Sequence, residues 1–152
     1  MEVINYFLIS LVTYIGLLIG IIISTMAKEE LKPGKKYFIL LHNIVLAFIL
    51  FFVLEFFDVN IYLTIFLPLI LIIGLFYFND LYKKSNIFYI GLGIIFYLSS
   101  KNINNLLIIS TLIFFYGFLI SSLQMDFKKK NYLRILYRNL LFFICLIGLF
   151  FI

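Results

Sequence analysis

The stretch Ala27–Phe38, AKEELKPGKKYF, decides the fold, because it is a short charged segment between two long apolar runs. Its Pro33 and Gly34 are typical turn residues. Two similar basic segments follow, NDLYKKSN at Asn79–Asn86 and QMDFKKKNYLRILYR at Gln124–Arg138. Each of the three segments is expected to close a hairpin between two apolar helices.

The composition excludes an ordinary water-soluble domain. Of 152 residues, 65% are hydrophobic and only 12% are charged, whereas soluble domains have about 45–50% apolar and about 25% charged residues. A chain this short cannot hide such an excess of apolar surface from water. The bilayer is therefore expected to be the solvent.

Helices of membrane-spanning length follow from that solvent. A span needs about 20 apolar residues, and lipid tolerates no unpaired backbone, so each long apolar run should be helical. We predict an all-α polytopic transmembrane helical bundle, with residues 1–152 as a single transmembrane domain. Its six predicted spans cover residues of about 4–25, 37–57, 61–78, 87–99, 103–123 and 135–152. The fourth is the shortest and contains Gly91 and Gly93, so a re-entrant segment is the alternative there.

The distribution of Lys and Arg predicts the orientation. With six spans, all but one of the twelve basic residues fall on one face, and Lys101 lies on the other. Basic loops stay in the cytoplasm, so both termini are expected outside an integral, multi-pass protein of the cell membrane. The basic residues of the cytoplasmic face are Lys28, Lys32, Lys35, Lys36, Lys83, Lys84, Lys128, Lys129, Lys130, Arg134 and Arg138.

Two further inferences come from the same pattern. Because the basic residues are confined to short turns between helices, nucleic acid is not an expected partner. The first apolar run lacks a basic region before it and is too long for a signal peptide, so it is interpreted as a retained helix.

Tyrosine is expected to take the place of tryptophan at the membrane interface, because the chain has no Trp. Tyr at this level keeps its ring in the apolar phase and its hydroxyl in water. The tyrosines near predicted span ends are Tyr6, Tyr37, Tyr62, Tyr77, Tyr82, Tyr132 and Tyr137.

Gly16, Gly20 and Ser24 place small residues at four-residue spacing along one face of the first helix. Such a pattern lets two helices approach closely in lipid. Packing within this chain is the favoured interpretation, and contact with a second copy or with another membrane protein is the alternative.

A polar cluster is predicted near the cytoplasmic ends of the spans. His42 and Asn43 are expected about one turn inside the second helix, with Gln124, Arg138 and Asn139 at a similar level and Arg134 nearby. Polar groups at that depth are costly unless they are paired. They could form a pocket for an anionic group such as a phospholipid head group, or they could be an interhelical hydrogen-bond cluster with snorkelling cations.

Glu55 and Asp58 lie at the outer end of the second helix. If the helix continued through Asp58, the spacing would put both carboxylates on one face, where they could bind a cation or relay protons. An ordinary helix end that reaches water is the alternative.

Other motifs are weaker. Pro68 would free a carbonyl inside the third helix, and Thr64 could satisfy it. Cys145 is interpreted as a small apolar filler, and it can form neither a disulfide within the chain nor a Cys-based metal site. Neither a catalytic constellation, a cofactor motif nor a metal-ligand set is predicted.

We therefore expect a non-enzymatic membrane-embedded subunit or scaffold that packs against another membrane protein or against lipid. Its partners would be the bilayer, anionic lipid at the cytoplasmic face and a membrane protein or a second copy. A small transporter or channel for an ion or small solute is one alternative. A lipid-modifying membrane enzyme that uses His42 and Arg138 is another.

Overall fold

The computed structural model describes residues 3–27, 29–77, 85–125 and 132–150. For seven of these residues it describes the backbone alone, namely Lys32, Ser85, Asn86, Ile87, Tyr132, Arg134 and Arg138. Within these ranges the chain is all-helical, and no strand occurs. The helices are α1 (Val3–Met26), α2 (Leu31–Phe56), α3 (Ile61–Tyr77), α4 (Ser85–Ser99), α5 (Ile103–Gln124), α6 (Tyr132–Asn139) and α7 (Leu141–Phe150).

Three helices are long and apolar enough to cross a membrane, namely α1, the segment Pro33–Phe56 of α2, and α5. Three shorter apolar helical segments cover Ile61–Tyr77, Phe88–Ser99 and Ile135–Phe150. The outer surface carries many large apolar side chains, among them Ile4 and Ile73, which are about 70% exposed. Such a surface is compatible with lipid and not with water.

The start of α2 corrects the prediction for Pro33 and Gly34. The helix begins at Leu31 rather than near Tyr37, so both residues lie in its first turn. The Gly34 N–H donates to the Glu30 carbonyl oxygen at 3.0 Å. Proline fits there because the first N–H groups of a helix have no partner within the helix. Residues that are typical of a turn therefore form the first turn of α2 here, and the helix begins before the apolar run does.

The end of α2 is closed by a left-handed residue. Asp58 has φ of 50°, its N–H donates to the Glu55 carbonyl oxygen at 3.0 Å, and the Val59 N–H donates to that of Leu54 at 3.1 Å. These two bonds are those of a Schellman motif with aspartate at the position usually taken by glycine. This conformation stops the helix at Phe56, close to the predicted end at residue 57, so the condition of a helix that continues through Asp58 is not met.

The predicted sixth helix is also interrupted. A turn at Leu140 separates α6 from α7, and the Leu140 N–H is shared between the carbonyl oxygens of Leu136 (3.1 Å) and Tyr137 (3.3 Å). The Tyr14 hydroxyl of α1 donates to the same Leu136 carbonyl at 2.9 Å. A side chain that binds a carbonyl of the helical ladder is one recognised cause of a break.

The closest helix contact joins α1 to α5. A Cβ atom added to Gly16 would collide with the Phe114 carbonyl, and one added to Gly20 would collide with the Phe118 carbonyl and the Ser121 hydroxyl. One turn further, the Ser24 hydroxyl bonds that of Ser122 at 2.9 Å. The small-residue face of α1 therefore packs against α5 of the same chain, with the backbones in direct contact.

Contacts along the helices give their directions. Gly16, Gly20 and Ser24 advance in step with Phe114, Phe118 and Ser122, so α1 and α5 run parallel. Two ring contacts, Phe38 with Phe118 at 6.5 Å and His42 with Tyr116 at 5.1 Å, show that α2 is antiparallel to α5.

The other helices follow the same alternation. Tyr89 of α4 contacts Phe142 of α7, and Gly93 of α4 faces Cys145 further along α7, so these two helices run parallel. Tyr6 near the start of α1 contacts Phe96 and Phe150 near the ends of α4 and α7. Helices α4 and α7 therefore run opposite to α1.

Helix α5 is central and α3 is peripheral. Helices α1, α2 and α4 all pack extensively against α5, which buries most of its length. Helix α3 makes its extensive contacts with α2 and buries only Thr64, Pro68 and Leu75. The Thr64 hydroxyl donates to the Val59 and Asn60 carbonyls, so the prediction that it satisfies the carbonyl freed by Pro68 is wrong.

Several loop predictions lie outside the described residues. They concern Lys28, Tyr82, Lys83, Lys84 and Lys128–Lys130. The orientation with basic loops in the cytoplasm therefore stays a prediction.

The glycine contact yields a testable expectation. Gly16→Ala should lower the midpoint of thermal unfolding in detergent, because the added methyl collides with backbone that cannot move aside; overpacking of this kind costs about 1–3 kcal/mol. Gly74→Ala is the matched control, since a Cβ there meets nothing within 4 Å and alanine is the better helix former. Circular dichroism at 222 nm gives the unfolding midpoints of both variants. A midpoint for Gly16→Ala equal to or above that of Gly74→Ala would contradict the packing.

Candidate functional site

His42 and Asn43 lie at the centre of α2 and not near its N-terminal end. His42 is eleven residues after Leu31, about 16 Å along the helix axis. The prediction of one turn is therefore wrong, because α2 begins earlier than its apolar run. Both side chains are buried, with exposures of 1% and 3%.

The two side chains are hydrogen-bonded to each other. His42 Nδ1 and Asn43 Oδ1 are 3.1 Å apart. An amide oxygen only accepts hydrogen bonds, so the proton of this bond lies on Nδ1. In the neutral ring, Nε2 is then left with a lone pair and acts as an acceptor.

A continuous aromatic column leads from His42 through the bundle. It runs from His42 to Tyr116 (5.1 Å between ring centroids), to Tyr89 (5.3 Å) and to Phe142 (6.1 Å). It continues through Phe96 (5.9 Å) to Tyr6 (5.4 Å). These residues come from α2, α5, α4, α7 and α1, so the column joins five helices. Each pair contributes about 0.5–1.5 kcal/mol beyond its buried area.

Polar atoms along this column are buried without a hydrogen-bond partner among the described residues. They include His42 Nε2, Asn43 Nδ2, and the hydroxyls of Tyr89 and Tyr6. The Tyr89 hydroxyl points to the crossing of α1 and α5, 3.3 Å from the position of a Cβ on Gly117. Buried polar atoms are hydrogen-bonded in most proteins, so a cluster of exceptions marks a candidate site.

Several Ser and Thr hydroxyls form a contrast, because they are satisfied by carbonyls of their own helices. Ser10 donates to the Phe7 carbonyl at 2.8 Å, Thr13 to that of Ile9 at 2.7 Å and Ser99 to that of Ile95 at 2.8 Å. Such bonds to the preceding turn are the usual arrangement for hydroxyls in apolar helices. These residues therefore add packing and no site.

The other predicted members of the polar pocket lie elsewhere or are not described. Gln124 ends α5, eight residues after Tyr116 and so about 12 Å from it along the axis. The prediction that Gln124 lies at the level of His42 is therefore wrong. Asn139 is buried at the end of α6, a helix that packs on α4 and α1. The side chains of Arg134 and Arg138 lie outside the described part of the structure.

Glu55 and Asp58 are both exposed at the end of α2. Asp58 is outside the helix, so the shared helical face on which the cation site depended is not formed. Among the described residues, no group of three His, Cys, Asp or Glu side chains could hold a metal ion. Cation binding by these two carboxylates stays a prediction.

Comparison with protein-family models, with curated proteins and with solved structures found no match to this chain.

Sequence reasoning missed Tyr89 and Tyr116 and misplaced Tyr6. Tyr6 was predicted at the interface, but it is fully buried against Phe96 and Phe150. Tyr37, Tyr62, Tyr77 and Tyr137 are exposed, as an interfacial position requires. The signal for Tyr116 was its place in the middle of a predicted span, where a hydroxyl cannot reach water.

The bond between His42 and Asn43 can be measured with a double-mutant cycle of His42→Phe and Asn43→Leu. The losses of unfolding free energy in the two single variants should add up to more than the loss in the double variant. Each single change leaves one buried polar group without its partner, whereas the double change removes both groups. Couplings in membrane proteins average about 0.6 kcal/mol and reach about 1.7 kcal/mol. Unfolding by titration with sodium dodecyl sulfate gives the free energies. His42→Phe with Ser99→Ala is the control cycle and should be additive; a coupling no larger than in this control would argue against the bond.

Proposed function

We propose that this protein is a small integral membrane protein that acts as a membrane-embedded subunit or scaffold, packing against another membrane protein or lipid. The observation that carries the proposal is the exposure of the side chains of α3. Only three of its residues are buried, and large apolar side chains cover the rest. Helix α3 packs extensively on α2, so its outer face is open to lipid or to a partner helix, and helices in lipid associate through van der Waals packing without any catalytic group.

The orientation of the helices supports six crossings. Helices α1 and α5 run parallel, and α2, α4 and α7 run opposite to them, which is the alternation that successive crossings require. The shorter apolar segments have 12 to 17 residues. A thinner or locally thinned bilayer accommodates them at modest cost. With this arrangement, Lys35 and Lys36 lie at the cytoplasmic end of α2, opposite Lys101.

The polar inventory also favours a subunit over an enzyme. Ser and Thr hydroxyls bond to carbonyls of the preceding turn or, at Ser24 and Ser122, join α1 to α5. His42 and Asn43 bond each other deep in the bundle. A lipid-modifying enzyme would need His42 to act together with Arg138, whose side chain is not described. That alternative therefore stays a prediction.

The docking face is tested by replacing Phe66, Ile70 and Ile73 of α3 with alanine. All three are at least half exposed, so the fold should be unaffected. Blue native electrophoresis of mildly solubilised host membranes should show wild type in a discrete larger complex and the triple variant released from it. The control replaces Leu8, Leu11 and Ile15 of α1, also exposed. Equal release by both variants, or wild type migrating alone, would refute docking through α3.

A transporter or channel is the second candidate, and the aromatic column is the observation in its favour. His42 Nε2 and the hydroxyls of Tyr89 and Tyr6 are unpartnered groups spread from the centre of the bundle to one end. Intramembrane groups of this kind form proton relays in pumps and transporters. The proton is the ion that a chain of closely packed polar side chains can relay.

Proton flux into proteoliposomes loaded with a pH-sensitive dye tests this candidate. Wild type should dissipate an imposed pH gradient faster than empty liposomes, and His42→Ala should remove most of that excess rate. Lys101→Gln is the matched control, because Lys101 is exposed and belongs neither to the column nor to the carboxylate pair. A rate for wild type equal to that of empty liposomes, or unaffected by His42→Ala, would end this candidate.

A further inference from the structure

The surface between α2 and α3 contains an open apolar cleft. Its walls come from Ala47 and Phe48 of α2 and from Pro68 and Leu69 of α3, with their neighbours one turn away, and it encloses about 230 Å³. Every atom that lines it is apolar. Ala47 lies within four residues of the midpoint of α2, or about 5 Å, so the cleft is at the depth of the acyl chains.

The volume selects the kind of occupant. An apolar cavity of about 150 Å³ is enough for one benzene ring, so 230 Å³ suits a segment of a single hydrocarbon chain. A helix has a diameter of about 10–12 Å and is too wide to enter. A transmembrane helix of a partner or a second copy would lie across the cleft without filling it.

A basic and aromatic pair lies on the same side of α2, toward the helix start. Tyr37 precedes Ile44 of the cleft wall by seven residues, two turns, and so shares its face. The Lys36 ammonium lies 5.1 Å from the centroid of the Tyr37 ring. A lysine here can extend its stem toward the head-group region while its charge stays in water. The pair is therefore about 10 Å above the cleft mouth.

We propose that this cleft binds one acyl chain of an anionic phospholipid whose phosphate contacts Lys36. Charge complementarity favours an anionic head group, since a basic residue near the surface attracts anionic lipid. Glu29 and Glu30 are exposed but precede the first turn of α2, further from the cleft than Lys36. The inference rests on the proposed function only for the bilayer location, and it names the lipid and its site.

The absence of Trp from the sequence makes the cleft directly observable. A single Trp introduced as Leu69→Trp or Phe48→Trp lies at the cleft, where both native side chains are about half exposed. The full chain is reconstituted in phosphatidylcholine vesicles with increasing fractions of phosphatidylglycerol that carries brominated acyl chains. Bromine quenches Trp on contact. Ile15→Trp on the lipid-facing side of α1 is the control at similar depth.

The cleft Trp should be half quenched at a mole fraction of brominated phosphatidylglycerol about fivefold lower than the control Trp, the preference expected from one lysine. Adding Lys36→Gln should abolish that difference, and adding Lys101→Gln, exposed at the opposite end, should leave it. Brominated phosphatidylcholine in the same assay should quench cleft and control Trp alike.

Three results would overturn the inference. They are equal quenching of cleft and control Trp by brominated phosphatidylglycerol, equal preference for brominated phosphatidylcholine, and insensitivity of the preference to Lys36→Gln. The second Trp position guards against a local effect of one substitution. None of these results depends on a protein partner, so loss of the lipid preference with an intact complex on native gels rejects the lipid site alone. A retained lipid preference without a discrete complex on native gels rejects the docking face alone.

Discussion

The contact between the backbones of α1 and α5 is the constraint on which the rest of the bundle depends. Lipid offers helices no hydrophobic gain on association, so packing and hydrogen bonds must hold them together. Gly16 and Gly20 remove the side chains that would keep α1 away from Phe114 and Phe118, and Ser24 adds a hydroxyl contact. With α1 fixed on α5, helices α2 and α4 occupy the remaining sides of α5.

The aromatic column is the second structural element, and it carries a cost as well as a gain. Its ring contacts connect five helices, yet His42 Nε2 and the Tyr89 and Tyr6 hydroxyls are buried without partners in the described structure. An unsatisfied buried polar group costs about 1–3 kcal/mol, so apolar replacements would pack with less penalty. This makes the column the most informative place to look for polar chemistry inside the bundle.

The sequence predicted the helical class, most helix positions and the small-residue face of α1, because length, hydropathy and glycine spacing are local signals. It could not identify α5 as the partner of that face, since buried and lipid-facing sides of a membrane helix are equally apolar. The depth of His42 was misjudged because Pro33 and Gly34 resemble a turn, although a first helical turn accepts both. The position of Gln124 was misjudged because the level of a residue depends on how helices slide past each other.

The pairing of α1 with α5 also has a consequence for biosynthesis. Ser24 and Ser122 are 98 residues apart in the chain, which corresponds to about 5–20 seconds of translation. During that interval the first helix has been synthesised while its glycine face has no permanent neighbour within the chain. Because of the order of synthesis, the contact between α1 and α5 can form only after most of the polypeptide has left the ribosome.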